Sequence, residues 1–268
     1  MTKYITVATK KGGTGKTMIT WQLAGALAED DPNGRVLLID CDPQANLSRN
    51  AKINVYQPEY PSIMDIFNDP DIRLENVAYR SVVVNPANID VVPAIKGLER
   101  MEMELVARAG REYLLKNWLE ENEDGLSEYG YVLMDTSPSL GVLNQNAFIA
   151  ADSILLVTDL AVNALDGIHQ FMAFWNKSAR DLRIENKAKA LVINNADMRL
   201  RRMLGEVEEY IDDNAELSAL FVEPVVPMRA AFKGSERAKE PITAWRPRSE
   251  ESEIIRGLMR SLREKGAL

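Results

Sequence analysis

The chain has 268 residues, of which 46% are hydrophobic and 27% are charged, and its formal net charge is −8. A single Cys excludes a disulfide framework and a multi-thiolate metal site within the chain, and a single His excludes a His-rich metal centre. The acidic balance argues against a protein that coats nucleic acid by bulk charge, but it does not exclude a local basic patch.

Short apolar runs alternate with helical patterns along the chain. We predict strands over residues 4–8, 35–39, 89–92, 131–134, 154–157, 190–193 and 221–226. The spacing of apolar residues predicts helices over residues 16–28, 62–67, 98–119 (as one helix or two), 141–151, 164–180 and 250–265. Because apolar strands that alternate with helices form a parallel sheet buried on both faces, these elements predict one doubly wound α/β domain.

The same elements set expectations for domain organisation and location. We expect the domain to fill residues 1–268, with no separate N-terminal DNA-binding domain. The N-terminal residues lack the long apolar stretch of a signal peptide, and no apolar run approaches the length that spans a bilayer. These features predict a cytoplasmic protein with no membrane partner.

A segment rich in lysine and glycine, KKGGTGKT over residues 10–17, lies between the first predicted strand and the first predicted helix. Glycines let backbone N–H groups turn inward around an anion, and the N-terminus of the helix adds its dipole. Lys16 is placed to reach the β- and γ-phosphates of a nucleotide, and the hydroxyl of Thr17 to bind Mg²⁺. The strict phosphate-loop pattern is not met, because Lys10 occupies its first glycine position.

Residues 11–17, KGGTGKT, resemble the deviant Walker A motif K-G-G-x-G-K-[ST] of the ParA/MinD family of P-loop ATPases. The resemblance implies a P-loop fold, with ATP and Mg²⁺ as ligands. It also implies that Lys11 reaches across the interface of an ATP-dependent homodimer to the nucleotide of the partner chain, so that catalysis depends on dimerisation. The nucleotide-binding residues of this segment are then Lys11, Gly12, Gly13, Thr14, Gly15, Lys16, Thr17 and Met18.

Acidic residues end two of the predicted strands. Asp40 and Asp42 lie two residues apart on an extended segment, so their side chains point the same way at the edge of the sheet where ligands bind. Residues 40–44, DCDPQ, resemble the D-x-D-P-Q segment of the ParA branch, which implies that Asp42 orients the attacking water and that Asp40 lies near Mg²⁺. Asp135 is similar to the Walker B aspartate, which holds Mg²⁺ through water.

Amide and apolar residues near the end of the chain are candidates for the base site. Asn194 and Asn195 end the sixth predicted strand, where relatives place an adenine contact, and we favour Asn195. Pro227 and Met228 resemble the segment that flanks the base from the other side. We interpret Cys41 as a small, inert residue at a strand end and His169 as structural or exposed; neither is assigned to catalysis.

Residues 197–199, Asp-Met-Arg, match the D-x-R segment of the family, whose arginine contacts DNA in close relatives. Two more arginines follow at once, so this group comprises Arg199, Arg201 and Arg202. A solvated turn is the alternative interpretation, with these arginines paired to the acidic residues of segment 205–216.

A second basic group lies within residues 228–248. Close relatives of the partition type carry a second DNA-contacting arginine four residues past the proline, where this chain has Ala231. The nearest substitutes are Arg229 and Lys233. We therefore treat both as candidate DNA contacts.

The resemblance implies a DNA-partition ATPase that is nucleoid-associated, binds nonspecific DNA as an ATP dimer, and is stimulated by a ParB-like centromere-binding partner. The acidic segment 205–216 is a candidate surface for a basic segment of that partner. A MinD-type membrane-cycling ATPase is the main alternative; it requires an amphipathic tail, whereas the last predicted helix carries one apolar stripe without Phe or Trp. An iron-protein-type reductase needs two bridging thiolates, which Cys41 alone cannot supply. An ATPase that positions another cargo and a non-enzymatic nucleotide-gated scaffold are the further alternatives.

Overall fold

The computed structural model describes residues 1–57, 59–83, 86, 88–160 and 164–268. Six parallel strands form one sheet in the spatial order β3-β2-β4-β1-β5-β6. This is the predicted doubly wound fold. The strands are β1 (Lys3–Ala8), β2 (Arg35–Asp40), β3 (Ile89–Val92), β4 (Tyr129–Asp135), β5 (Ser153–Thr158) and β6 (Ala188–Ile193).

Helices connect the strands and cover both faces of the sheet. The stretch predicted over residues 98–119 as one helix or two contains two. The described helices are α1 (Lys16–Asp30), α2 (Asn46–Asn50), α3 (Ile63–Asn68), α4 (Leu74–Val77), α5 (Leu98–Leu105), α6 (Leu114–Glu121), α7 (Glu123–Leu126), α8 (Val142–Ala150), α9 (Ala164–Leu182), α10 (Arg201–Asp213), α11 (Ala215–Leu220), α12 (Ala230–Ala238), α13 (Ile242–Trp245) and α14 (Glu250–Glu264).

Side chains of the central strand alternate between two hydrophobic cores. Ile5 and Val7 of β1 lie in the core that α1 and α14 cover. The intervening Thr6 faces the opposite side, where its hydroxyl donates to the carbonyl oxygen of Ala147 in α8 at 2.8 Å. This alternation is the period-two pattern of a strand, and burial of both faces explains why the strand sequences are almost continuously apolar.

Helix α14 uses its apolar stripe within the domain. Ile255, Leu258 and Leu262 are buried in the core shared with α1. The hydroxyl of Ser249 accepts a hydrogen bond from the N–H of Ser252 and caps the helix N-terminus. The stripe that a membrane-targeting tail would need is therefore covered by the chain itself. Among the described helices, none has an apolar stretch long enough to cross a bilayer.

The prediction of a strand over residues 221–226 is wrong. The segment runs beside β6, and the N–H groups of Val222 and Val226 donate to carbonyl oxygens of that strand at 3.0 and 2.9 Å. It forms only isolated bridges, at Phe221 and Pro227. Pro224 lies between these two donors in the alternating series and has no N–H to donate, so the ladder is interrupted there.

Candidate functional site

The loop between β1 and α1 has the backbone that the glycine pattern predicts. Gly13 and Gly15 have φ values of +83° and +86°, in the left-handed region that glycine adopts without strain. A Cβ atom at Gly15 would also collide with the side-chain amide of Asn194. Two observations, the left-handed backbone and the packing against this amide, therefore require glycine at the last loop position.

A cavity of about 540 Å³ opens beside this loop. Loop residues 12, 13 and 15–18 line one side of it, and Asp42 and residues of α2 line another. The cavity lies outside the carboxyl ends of the strands, which is where open α/β sheets bind ligands. The structure thus brings the predicted phosphate loop and the predicted catalytic aspartate to one cavity.

The hydroxyl of Thr17 donates to Oδ2 of Asp135 at 2.6 Å. Thr20, one turn further along α1, lies 3.4 Å from the other oxygen of the same carboxylate. Asp135 ends β4 and is the direct neighbour of Asp40, which ends β2. The first turns of α1 are in this way tied to the acidic end of β4, which lies beside the acidic end of β2.

Crowding of buried carboxylates raises their pKa values. Burial and the charge of Asp40 raise the pKa of Asp135 to about 8, although Thr17 and Lys16 act in the opposite direction. Burial raises the pKa of Asp40 to about 6, against hydrogen bonds from Ser48 that favour the charged form. In the part of the chain that the structure describes, the carboxylates of this cluster outnumber its cations, which is the condition that a bound cation relieves.

Asp40 and Asp42 have different positions, although sequence spacing places them on the same side of the strand end. Asp40 is fully buried; its Oδ2 accepts from the hydroxyl and N–H of Ser48 at 2.6 and 2.9 Å, and its Oδ1 from the N–H of Asp42 at 3.1 Å. Asp42 lines the cavity, and its Oδ1 accepts from the N–H of Gln44 at 2.9 Å. Asp42 therefore faces the ligand space, and Asp40 lies behind it.

The two loop lysines differ in environment. Lys16 is only 6% exposed, and burial lowers its pKa while the charges of Asp135 and Asp42 oppose the change. Lys11 is more open; its Nζ lies 3.0 Å from Oδ1 of Asp159, just after β5. Lys11 also packs closely against Gly167 of α9: a Cβ atom added at Gly167 would lie 2.9 Å from the Cβ atom of Lys11.

A second, smaller cavity of about 160 Å³ adjoins the loop at the predicted base site. Asn195 is exposed and lines it. Asn194 also lines it, but its Nδ2 donates to the carbonyl oxygen of Thr14 at 2.8 Å, so this amide braces the loop. Oδ1 of Asn194 and the hydroxyl of Thr14 are buried without a hydrogen-bond partner among the described residues.

Pro227 and Met228, predicted to flank the base, lie beside the end of β6. Pro227 bridges to Ala196, whose carbonyl oxygen also accepts from the N–H of Met228 at 2.8 Å. The wall of the smaller cavity includes Phe232 of α12, which the sequence reasoning did not identify.

Three of the five candidate DNA contacts, Arg199, Arg202 and Arg229, form ion pairs with acidic residues of the chain. Arg199 contacts both carboxylate oxygens of Asp197, and Arg201 is exposed. The pair that the solvated-turn alternative predicts is present, since Nε of Arg202 lies 2.9 Å from Glu206. These pairs are open to solvent, and exposed ion pairs of this kind contribute little free energy.

The substitutes proposed for the second DNA-contacting arginine lie at the predicted base site. Arg229 pairs with Glu250 at 3.3 Å. Lys233 is exposed, and both residues line the smaller cavity. They are therefore close to the nucleotide site itself.

Sequence reasoning missed several side chains that complete the site. Ser48 binds Asp40, Asp159 binds Lys11, and Glu236 lines both cavities. Ser48 and Asp159 belong to no motif that could have marked them. The signal for Glu236 was its charge, since it is one of only two acidic residues among the basic residues of segment 228–248.

Comparisons with known proteins agree with this geometry. A family model described as an AAA domain matches residues 2–188. The chain is 29% identical to the sporulation initiation inhibitor protein Soj of Bacillus subtilis, with 99% of this chain and 100% of Soj covered. It is 33% identical to the chromosome partitioning protein ParA of Caulobacter vibrioides, with 74% and 71% covered. A solved ATP complex of Cyanothece McdA has a similar fold, with a TM-score of 0.82, 18% identity, and 100% and 97% covered.

Proposed function

Because this chain belongs to the ParA/MinD family of P-loop ATPases, and within it to the ParA/Soj type, we propose that it is a partition ATPase. It binds ATP with Mg²⁺, closes into a homodimer, binds DNA without sequence preference, and hydrolyses ATP when a ParB-like centromere-binding partner engages it. The observation that carries the proposal is the phosphate-loop cavity, where Lys16, Thr17 and Asp42 meet and Thr17 is bonded to Asp135.

The residues present fit Mg²⁺ and a triphosphate. Thr17 and Asp135 offer hard oxygen donors next to a loop whose backbone suits an anion, and Mg²⁺ prefers such donors together with phosphate oxygens. We assign Thr17 and Asp135 to the metal ion, with Asp40 behind them. Mg²⁺ supplies positive charge that neutralises the phosphates and the crowded carboxylates.

The loop residues hold the nucleotide by its phosphates. N–H groups of residues 12–17 donate to phosphate oxygens, and the buried ammonium of Lys16 donates to the β- and γ-phosphates. Asn195 contacts the adenine at the second cavity, while Asn194 keeps the loop in shape through its bond to Thr14.

Asp42 positions the attacking water for hydrolysis. Its carboxylate lines the cavity and accepts a hydrogen bond from a water molecule, which directs the water oxygen at the γ-phosphorus. A bond forms between that oxygen and phosphorus, the bond to the bridging oxygen breaks, and ADP and inorganic phosphate leave. Asp40 holds the backbone of Asp42 through its 3.1 Å hydrogen bond and so fixes the direction of the carboxylate.

Lys11 supplies a second cation from the partner chain. In the single chain it is paired with Asp159 at the rim of the site, and its side chain is 25% exposed. In the ATP dimer it exchanges this partner for the phosphates of the facing subunit, where charge develops during phosphoryl transfer. Hydrolysis is thereby confined to the dimer.

The DNA surface combines the arginines of residues 199–202 with Arg229 and Lys233. Arg199, Arg202 and Arg229 form ion pairs that are open to solvent, and Arg201 has no ion pair within the described residues. DNA phosphates therefore compete readily for these arginines. The acidic face of α10 receives the basic segment of the ParB-like partner. Because α14 buries its apolar stripe in the chain's own core, no feature of this helix favours membrane cycling.

Binding of random-sequence duplex DNA tests the proposal directly. We expect binding with ATP and Mg²⁺ but not with ADP, and a steep loss of affinity as salt rises, because phosphate contacts act through counterion release. The variant with both Arg199→Ala and Arg202→Ala should lose DNA binding in a filter assay and keep ATP-driven dimerisation in light scattering. Arg100→Ala is the matched control, since Arg100 is 81% exposed and, like Arg202, pairs with a glutamate one turn later.

Two further variants separate dimerisation from turnover. Lys11→Ala should bind ATP but remain monomeric, whereas Asp42→Ala should form a dimer that persists because the water is no longer oriented. DNA binding that is indifferent to nucleotide would remove the DNA surface from the mechanism, as would normal binding by the double arginine variant. A Lys11→Ala protein that dimerises like the wild type would contradict the role of Lys11 in trans.

A further inference from the structure

The two cavities at the phosphate loop share a narrow set of lining residues. The larger cavity lies against the loop and Asp42, and the smaller one against Asn194 and Asn195. Three residues line both and mark the junction between them: Gly15, Met18 and Glu236. Glycine has no side chain and methionine is apolar, so Glu236 supplies the hydrogen-bonding side chain at this junction.

Glu236 lies on α12, the helix that also lines the smaller cavity with Phe232 and Lys233. Its side chain is partly buried, yet within the described residues its carboxylate has no hydrogen-bond donor and no ion pair within 4 Å. Burial raises the pKa of Glu236, while Lys239 and Lys233 act in the opposite direction. A carboxylate kept partly out of water and without a donor is costly unless a ligand provides one.

A nucleotide seated in both cavities provides that donor. Its phosphates occupy the larger cavity and its base the smaller one, so the ribose lies at the junction. We propose that Glu236 accepts hydrogen bonds from the ribose hydroxyl groups and so makes the site selective for ribonucleotides over deoxyribonucleotides. Carboxylates bind ribose hydroxyls in this way at other nucleotide sites, because an ionised acceptor forms strong hydrogen bonds with paired O–H donors.

The alternatives for Glu236 fit the geometry less well. A carboxylate repels phosphate groups, so its position at the edge of the phosphate cavity is unfavourable without a compensating contact. If Glu236 served only to offset the charges of Lys233 and Lys239, the sugar of the nucleotide would make no difference to binding. The inference rests on the proposed ATP binding, and it concerns which sugar the site accepts.

Equilibrium binding of three nucleotides tests the role of Glu236. ATP, 2′-deoxyATP and 3′-deoxyATP, each with Mg²⁺, are titrated into the full-length protein and followed by calorimetry. We expect the wild type to bind ATP roughly tenfold to a hundredfold more tightly than at least one deoxy form, the range for loss of a charged hydrogen bond. Glu236→Ala should reduce this ratio to near one, mainly by weakening ATP binding, and Glu236→Gln should keep part of it.

Glu240→Gln is the matched control, because Glu240 lies four residues later and lines neither cavity. It should retain the wild-type ratio. Equal affinity of the wild type for all three nucleotides would overturn the assignment, as would an unchanged ratio in Glu236→Ala. A wild type that binds no ATP at all would instead overturn the proposed function, so the two failures are distinguishable.

Discussion

The sheet carries buried carboxylates at both ends, but the charged and hydrogen-bonding partners of these carboxylates differ between the two ends. At the amino end, Asp90 of β3 accepts hydrogen bonds from Arg35, Arg80, the N–H of Ser81 and the hydroxyl of Tyr129. At the carboxyl end, the buried aspartates lie beside one another, with hydroxyl groups and a single buried lysine around them. Within the described residues, Asp90 is paired with two arginines, whereas the aspartates of the carboxyl end share the buried Lys16.

The difference appears in the direction of the pKa changes. Burial alone would raise the pKa of Asp90, but hydrogen bonds from Arg35, Ser81 and Tyr129 outweigh it, and the pKa is lowered. Burial and the neighbouring Asp40 raise the pKa of Asp135 to about 8. The fold itself provides the cations that pair with a structural acid such as Asp90, whereas an acid of a binding site such as Asp135 gains a cation when the ligand binds.

The largest effect should come from removing the buried cation at the carboxyl end. Lys16→Ala should lower ATP affinity roughly a thousandfold or more, because it leaves phosphate charge unpaired in a partly desolvated site. Calorimetric titration with ATP and Mg²⁺ measures it. Arg35→Ala, which removes a cation from the amino end, should leave ATP affinity unchanged and lower the midpoint of thermal unfolding. Equal ATP affinity in Lys16→Ala and wild type would refute the assignment of the loop.

Asp90→Asn should cost about 3 kcal/mol of folding stability, the range for breaking a buried ion pair by removing one partner. The lowered pKa of Asp90 means that its contribution is present above the unfolded value, about 3.9, and is lost as pH falls through the folded value. The stability difference between variant and wild type should therefore be full at neutral pH and shrink in acid. Urea unfolding at several pH values measures it, and a constant difference down to about pH 3 would contradict the assignment.

Asp135→Asn should have the opposite dependence on pH. Because the folded pKa of Asp135 is about 8, the native state holds a proton that the unfolded chain releases near pH 4. Stability of the nucleotide-free wild type should fall as pH rises between these values, by at most about 1.4 kcal/mol per pH unit. Relative to wild type, Asp135→Asn should gain about 1 to 2 kcal/mol between pH 6 and pH 8.

Asp40 is present in both proteins, so the comparison reports the carboxyl group of Asp135 together with its charge–charge interaction with Asp40. The measurement is urea unfolding without nucleotide or Mg²⁺. A variant that loses stability relative to wild type as pH rises would show that Asp135 is ionised and satisfied in the free protein. The contrast between the two ends of the sheet would then fail.

The fold was predictable because its signals are local and repeated. Short apolar strands, each followed by a helical pattern, define a doubly wound sheet whatever the details of packing. The prediction of a strand over residues 221–226 rests on the apolar composition of the segment. It is wrong because Pro224 interrupts the hydrogen-bond ladder. The phosphate loop was predictable because consecutive glycines and lysines carry its geometry.

The rest of the site depends on residues that meet only in the folded chain. Asp90 binds partners that lie 9 to 55 positions away in the sequence, so no short pattern could reveal the cluster. Glu236 stood out only as an acid among basic residues, and its place between two cavities follows from the packing of α12 against the loop. The sequence favours Asn195 over Asn194 for the adenine contact, but it does not reveal that Asn194 donates to the carbonyl oxygen of Thr14, 180 positions away.

The smallest effect concerns Lys11, the cation that is satisfied within the single chain but needed elsewhere in the proposed dimer. The side chains of Lys11 and Asp159 are 25% and 18% exposed, so their ion pair contributes below about 1 kcal/mol. Two such pairs must break when two chains close, and each costs about 0.5 kcal/mol. A variant that lacks both pairs does not bear this cost, so its dimer should be favoured roughly fivefold over that of the wild type. Asp159→Asn should therefore form the ATP-dependent dimer at a several-fold lower protein concentration in light scattering, whereas Asp166→Asn, at an exposed acid of α9, should behave as wild type. Weaker dimerisation of Asp159→Asn would mean that Asp159 positions Lys11 for the partner chain, and the ion pair would then belong with the complete, structural charges of the amino end.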